Sequence, residues 1–282
     1  MKSVAQFWNR PASVVLILLC ACGGEAAPSG EIGVLTYNVA GLPAELSGSD
    51  PVANMPRIAP LLNAYDLVLV QEDFWYHADL DAGTTHPHKS PPMWETPDWD
   101  KMGDGLNTFS AYPSGEFTRV AWEQCNGLID SGGDCMTTKG FLYARLEVEP
   151  GIAIDVYNLH MDASGSEEDI AARRAQSAQL ASFIALNSEG VAVLLAGDTN
   201  LKATRPEDLQ TLDDFLAATG LVDSCRFLEC GDERIDRIMF RSCPDLELEP
   251  VEWSIPEEFV DADGNQLSDH LPVLARVAWR VL

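Results

Sequence analysis

A carboxylate and a carboxamide, Asp198 and Asn200, stand two positions apart just beyond the apolar run Val193-Leu194-Leu195-Ala196 and Gly197. The run reads as a buried strand and the glycine as its stop. Extended chain alternates its side chains, so both polar groups share one side. An Asx-rich turn capping the next helix would use the same letters. The rest of the chain weighs against that plainer reading, because the arrangement recurs. Ile32 to Tyr37 delivers Asn38, Asp66 to Gln71 delivers Glu72, and Ile152 to Leu159 delivers His160. Asp236 stands near the start of the strand Arg234 to Phe240, and Asp269-His270 precede a last strand reaching Val281. Taken singly, Asn38 is a turn residue, Glu72 a surface carboxylate and His160 a structural histidine. Together they form a constellation at strand ends.

Hard oxygen donors with few protein ligands per site suit magnesium, which keeps its waters and takes a substrate phosphate oxygen directly. His160 and His270, two of the five histidines in the chain, are the groups best able to exchange protons near neutral pH. Each has carboxylates available to orient it. Phosphodiester hydrolysis needs these parts: a base for water, a cation on the charge developing at phosphorus, and an acid or metal for the leaving oxygen.

Several elements must hold these groups. Pro56 to Ala64 reads as a short helix with Pro56 in its first turn. Ser166-Glu167-Glu168-Asp169 has the form of a capping box and opens a helix to about Leu186. Its spacing predicts Ile170, Ala178, Ala181 and Ile184 inside and Arg173 and Arg174 outside. Pro206 to Ala218 is another helix, stopped by Gly220. Thr108 to Trp122 reads as a strand pair, and Phe141 to Val148 with Ile152 to Leu159 as strands joined by Pro150-Gly151. Between Phe74 and Thr108 no period can be defended, although the segment is too long for an idle loop. His86 and His88 there are too weakly spaced for a metal site, and Trp94 and Trp99 suit either packing the loop down or a membrane interface. Asp261-Ala262-Asp263-Gly264-Asn265 has its glycine misplaced for a calcium loop and reads as an Asp-Gly hairpin turn.

The N-terminus stands apart from the fold. Lys2 and Arg10 precede the apolar run Ala12 to Ala21, which is too short to span a bilayer, so residues 1–21 are expected to be a signal peptide. Leu19-Cys20-Ala21-Cys22 resembles a bacterial lipobox, with cleavage before Cys22 and a lipid on its thiol. Ordinary secretion with cleavage near Ala27 is the alternative. Residues 22–30 then form a lipidated tether, and 31–282 one domain with room for a substantial core. The chain carries 18 basic and 44 acidic residues, a net charge of −26, and losing Lys2 and Arg10 makes it more negative still. Such a field repels polyphosphates and makes a nucleic-acid partner an unfavoured expectation, although bound divalent cations reverse the sign locally. Five cysteines lie beyond the lipobox, and export makes disulfides expected. Cys125 and Cys135 bracket a glycine-rich loop and make the best pair. One of Cys225, Cys230 and Cys243 is left over.

In chain order, Asn38, Gln71-Glu72, Asn158-Leu159-His160, Gly197-Asp198-Thr199-Asn200, Asp236-Arg237-Ile238 and Ser268-Asp269-His270-Leu271-Pro272 resemble the motifs of the endonuclease/exonuclease/phosphatase (DNase I-like) superfamily. The resemblance runs from about Ile32 to the C-terminus. It implies an α+β fold: a four-layer α/β/β/α sandwich, two mostly antiparallel sheets face to face with helices outside. It also implies that Glu72 binds Mg2+ with Asn38 close by and Asp269 beside the metal region. Asp198 would position or deprotonate the water, and Asn200 would hold a phosphate oxygen. His270 would be the general base or a phosphate-binding imidazolium, with Asp236 fixing its tautomer. His160 would bind phosphate or assist the leaving group. Asp134-Cys135-Met136-Thr137-Thr138-Lys139-Gly140-Phe141 is similar to a segment of bacterial and neutral sphingomyelinases, which implies that Lys139 contacts the substrate phosphate. Met161-Asp162 departs from that pattern, and Asp162 would add negative charge suited either to a cationic head group such as choline or to a different substrate altogether.

The expectation is therefore an exported, lipid-anchored, Mg2+-dependent phosphodiesterase of the sphingomyelinase C type. It would be a monomer working on phospholipid at a membrane surface, held at the bacterial outer membrane or cell surface. An exported nuclease is the first alternative, weakened by having only 18 basic residues. A soluble phosphoester such as an inositol phosphate is the second. A non-catalytic binding module is disfavoured by the intact set of acid, amide and imidazole groups.

Overall fold

Along the first strand Ile32 and Val34 point one way and Leu35 and Tyr37 the other, and all four are buried. A strand apolar on both faces must lie between two layers. The computed structural model describes residues 27–94, 102–127 and 131–282. In chain order β1 (Ser29–Asn38), α1 (Pro51–Leu62) and β2 (Leu67–Gln71) are followed by α2 (His77–Gly83), β3 (His88–Lys89), β4 (Asn107–Ser110) and β5 (Thr118–Ala121). A 3-10 turn over Ser131–Met136 leads into β6 (Gly140–Glu149), β7 (Ile152–His160), α3 (Glu167–Asn187), β8 (Ala192–Asp198) and α4 (Pro206–Thr219). β9 (Val222–Asp223), α5 (Ser224–Phe227), β10 (Asp236–Arg241), β11 (Leu246–Ser254) and β12 (Val273–Val281) complete the chain.

The strands form two six-stranded sheets, β11-β12-β1-β2-β4-β3 and β5-β6-β7-β8-β10-β9. Their inner faces meet in one apolar core, where Val34, Leu69, Val273, Ala275 and Val277 of the first sheet face Val156, Leu194 and Ile238 of the second. The outer face of the first sheet packs Leu35, Tyr37, Val68 and Val70 under Met55, Ile58 and Leu62 of α1 and Leu80 of α2. The outer face of the second packs Tyr157, Leu159, Val193 and Leu195 under Leu180 and Ile184 of α3 and Leu212 and Phe215 of α4. This is the α+β sandwich of four layers that the resemblance implies.

Two parallel pairs position the site. β1 runs beside β2 with Asn38 opposite Gln71, and β7 beside β8 with His160 opposite Asp198. A parallel pair needs a crossover, supplied by α1 in the first sheet and α3 in the second. β10 then runs antiparallel to β8, setting Asp236 opposite Asp198. The polar ends of these strands therefore meet at one pole of the sandwich.

Local expectations divide. The Ser166 capping box is present, α3 ends at Asn187, and Gly220 closes α4 with a left-handed φ of 69°. The Asp-Gly turn holds, with the Gly264 N–H donating to the Asp261 carbonyl at 3.0 Å. α1 starts earlier than expected, because Asp50 caps it and Pro51, not Pro56, occupies its first turn. β4 and β5 are not a pair: β4 bonds to β2 and β3, and β5 to β6 in the other sheet. In α3, Arg173 is buried and Ala178 exposed, the reverse of what the period predicts. The segment after Phe74 holds α2 and β3, and β11 was not expected at all. Cys125–Cys135 and Cys225–Cys230 are disulfides, leaving Cys243 free among the described residues. Cys22 and Trp99 lie outside the described residues. No helix among the described residues is long and apolar enough to cross a membrane.

Candidate active site

Asn38 ends β1 and bridges the two sheets. Its Nδ2 donates to Glu72 Oε1 at 3.0 Å and to Asp198 Oδ2 at 3.3 Å, and its Oδ1 accepts from the Ala40 N–H at 3.1 Å. Glu72 and Asn200 adopt φ of 56° and 51°, a left-handed conformation that costs an ordinary residue about 1–2 kcal/mol. Such strain persists where the surroundings over-determine it. Gly197 is required for a different reason: a Cβ there would run into the Leu159 carbonyl of the adjacent strand.

The two histidines differ in state. His160 is buried, and burial followed by the charges of Lys139 and His270 holds its pKa well below the usual value. Its Nε2 lies 3.0 Å from Lys139 Nζ and 3.4 Å from Asp198 Oδ2, while its Nδ1 has no partner among the described residues. Neutral His160 thus accepts from the Lys139 ammonium. Burial also opposes a charge on His270, but its hydrogen bond to Asp236 and the fields of Asp198 and Asp236 outweigh it and push the pKa up to about 10. His270 Nδ1 sits 3.0 Å from both Asp236 oxygens, leaving Nε2 facing Asp198 Oδ2 at 3.7 Å.

Asp198 is the hub. Its Oδ1 accepts from the Asn200 N–H at 2.9 Å. Burial and then the field of Asp236 push its pKa up to about 6, with His270 and Lys139 pulling the other way. Burial likewise raises the pKa of Glu72. Glu72 accepts one hydrogen bond from Asn38 and opens onto a hollow of about 80 Å³ that Leu42, Leu46, Phe74, Met102 and Lys139 help to line.

These donors fit magnesium. Asp198, Asp236 and His270 have ligand atoms within 4.8 Å of one another, but the His270 imidazolium already compensates that pair. Glu72 is the carboxylate of the site left without a cation of its own among the described residues. Its carboxylate oxygens are the kind of donor that magnesium takes alongside water, and Asn38, whose Nδ2 rather than its oxygen faces Glu72, holds that carboxylate in place.

Most of the expected residues are therefore together: Asn38, Glu72, Lys139, His160, Asp198, Asn200, Asp236 and His270. Asn200 points its amide to the Met161 carbonyl at 3.0 Å. Asp269 stands at the margin of the group: it is exposed, its Oδ1 lies 3.4 Å from Ser268 Oγ, and its charge adds to the field on His270. Asp162 does not reach a head group either. It is buried, accepting from the Asn126 N–H and from Gln176 Nε2 at 2.6 Å each. His86 is structural, bonded to the Tyr65 carbonyl at 2.8 Å.

Four supporting residues went unassigned in the sequence. Asp134 pairs with Lys139 and fixes its ammonium. Gln71 Nε2 donates to Asn158 Oδ1 at 2.8 Å, tying the sheets together beneath the site. Ser268 Oγ donates to the Asn38 carbonyl at 2.7 Å. Gln71, Asn158 and Ser268 stood in the motifs themselves, the first two near strand ends and Ser268 in the bend before β12, and that membership was the available signal.

The sequence matches the Endonuclease/Exonuclease/phosphatase family over residues 35–270. The chain belongs to this family. It is 34% identical to the sphingomyelinase of Mycobacterium tuberculosis over 271 residues, covering 87% of this chain and 52% of that protein. The chain thus spans about half the length of that relative. The fold is similar to sphingomyelinase C from Streptomyces griseocarneus, with a TM-score of 0.66, 22% identity and coverage of 88% and 99% of the two chains. It is also similar to a mutant of the Staphylococcus aureus beta toxin with bound magnesium ions, with a TM-score of 0.65, 19% identity and coverage of 87% and 99%.

Proposed function

We propose that the chain is an exported, lipid-anchored, Mg2+-dependent phosphodiesterase that splits a phospholipid of the sphingomyelin type into a lipid alcohol and a phosphorylated head group. The supporting observation is the joining of two environments in one hollow. Glu72 and Lys139 line it together with Leu42, Leu46, Phe74, Met102 and Met136. A phosphate site rimmed by aliphatic and thioether side chains suits a lipid better than a nucleic acid, and the net charge of −26 points the same way. Likeness to a sphingomyelinase at 34% identity supports the choice of lipid.

In this reading Asp198 takes the proton from the attacking water, since its raised pKa makes it a usable base. The His270 imidazolium donates from Nε2 to a phosphoryl oxygen, held in place by Asp236. Lys139, resting on neutral His160, supplies the proton-bearing group nearest the leaving oxygen. Asn200 directs the remaining amide hydrogen toward phosphate. Magnesium, held by Glu72 with Asn38 steadying that carboxylate, would neutralise charge developing at phosphorus.

The test is head-group release from sphingomyelin, phosphatidylcholine and plasmid DNA in parallel, each with magnesium and with chelator. Choline phosphate released only with magnesium is the expected result. DNA cleavage without lipid turnover would replace the reading with an exported nuclease.

A further inference from the structure

The catalytic groups and the entry of the first strand occupy opposite poles. β1 enters at Ser29 and ends at Asn38, and its ten residues at about 3.3 Å each separate its ends by roughly 30 Å. β7 and β8 run the same way, with His160 and Asp198 at the catalytic end. The opposite pole is pinned: Val281 donates its N–H to the Pro28 carbonyl at 2.9 Å, and Leu282 to that of Asp245 at 3.1 Å.

The poles also differ in chemistry. Around the catalytic mouth Leu46 is 54% and Met136 42% exposed, with Leu42, Phe74 and Met102 behind them. At the other pole Glu31, Glu247, Glu249 and Arg280 line a shallow hollow, although Leu282 is exposed there too. From Cys22 to Ser29 the chain can reach at most about 25 Å.

We infer that the domain works in trans: the lipid surface its mouth docks on is not the bilayer that holds its own lipid. The inference rests on the lipid-anchored phosphodiesterase reading. With β1 upright and the mouth flush on its own bilayer, Ser29 would stand roughly 30 Å above the surface, beyond what the tether spans. An apposed membrane meets the apolar rim without that constraint.

The test uses the full chain, lipidated at Cys22 and carrying Cys243→Ser, with a donor dye at Leu46→Cys or at Asp245→Cys. Reconstituted in vesicles containing an acceptor lipid, the dye at position 245 should transfer several-fold more efficiently than the dye at 46. A second vesicle population containing sphingomyelin and its own acceptor should draw transfer from position 46. Lengthening the tether with a flexible insertion after Gly24 should bring the two positions closer to parity in the first assay. Stronger transfer from 46 to its own bilayer would overturn the inference. Absence of transfer from both positions would remove the anchor and the inference with it. The readout needs no turnover, so an inert chain with the expected pattern would support the orientation and refute only the substrate.

Discussion

Two buried clusters of charge flank the loop that follows β7, and they are built on opposite terms. In one, Arg173 bonds to Asp208 Oδ1 through Nε at 3.1 Å and Nη2 at 2.9 Å, while Nη1 reaches the carbonyls of Asp162, Ala163 and Ser164. Asp208 Oδ2 takes Arg205 at 2.9 Å and the Lys202 N–H at 3.2 Å. Every charge there has partners. In the other, Glu72, Asp198 and Asp236 share a site with one imidazolium and one ammonium. There His160 Nδ1 has no partner among the described residues, and two residues hold left-handed backbone. Satisfied charge fixes a loop. Charge left partly uncompensated keeps its capacity for a cation and a phosphate.

The sharpest way to break the contrast is to neutralise the hub. Asp198→Asn should lower kcat/KM by about a thousandfold or more, with a melting temperature unchanged or raised because the repulsion from Asp236 is gone. A stable variant with near-normal turnover would contradict the assignment. His270→Ala should lower kcat/KM on a similar scale but also lower the melting temperature, since it leaves buried Asp198 and Asp236 without their imidazolium. Arg173→Ala should do the reverse, destabilising the fold by about 3–5 kcal/mol as it strands buried Asp208, while the folded fraction keeps turnover within an order of magnitude. Denaturant unfolding and active-site-normalised kinetics separate the two effects.

A smaller effect is expected from Asp134→Asn, which frees Lys139 from its partner. Turnover should fall about tenfold, the scale of one charge-assisted hydrogen bond, with a loss of stability because the pair is buried. Unchanged turnover would remove Lys139 from the chemistry. The pH profile sharpens the contrast further. Asp198 must be ionised, so activity should fall as pH drops through about 6, and His270 must be charged, so it should fall again as pH rises through about 10. Bound magnesium would move the acid limb lower. A profile with both limbs unmoved in His270→Ala would contradict the imidazolium role.

Much of the site was legible because strands end where apolar runs end, and Asn38, Glu72, His160 and Asp198 sit at those stops. Period alone failed for Arg173, since a guanidinium surrounded by carbonyls and carboxylates is buried by pairing rather than by hydrophobicity. Asp162 misled for a related reason: its charge is spent on Asn126 and Gln176, contacts that only the folded loop brings together. The split of β4 and β5 between sheets escaped because alternation marks strands but not their partners. Asp269 shares a motif with His270, but it lies in the bend before β12, exposed and acting on His270 only through its charge.

The second cluster is expected to be completed by a cation at Glu72. Thermal unfolding of the wild-type protein and of Glu72→Gln, each with and without magnesium, tests it without relying on turnover. Magnesium bound only to the native state should raise the wild-type melting temperature in a concentration-dependent way and leave Glu72→Gln unmoved. Equal shifts in both proteins, or none in the wild type, would contradict it.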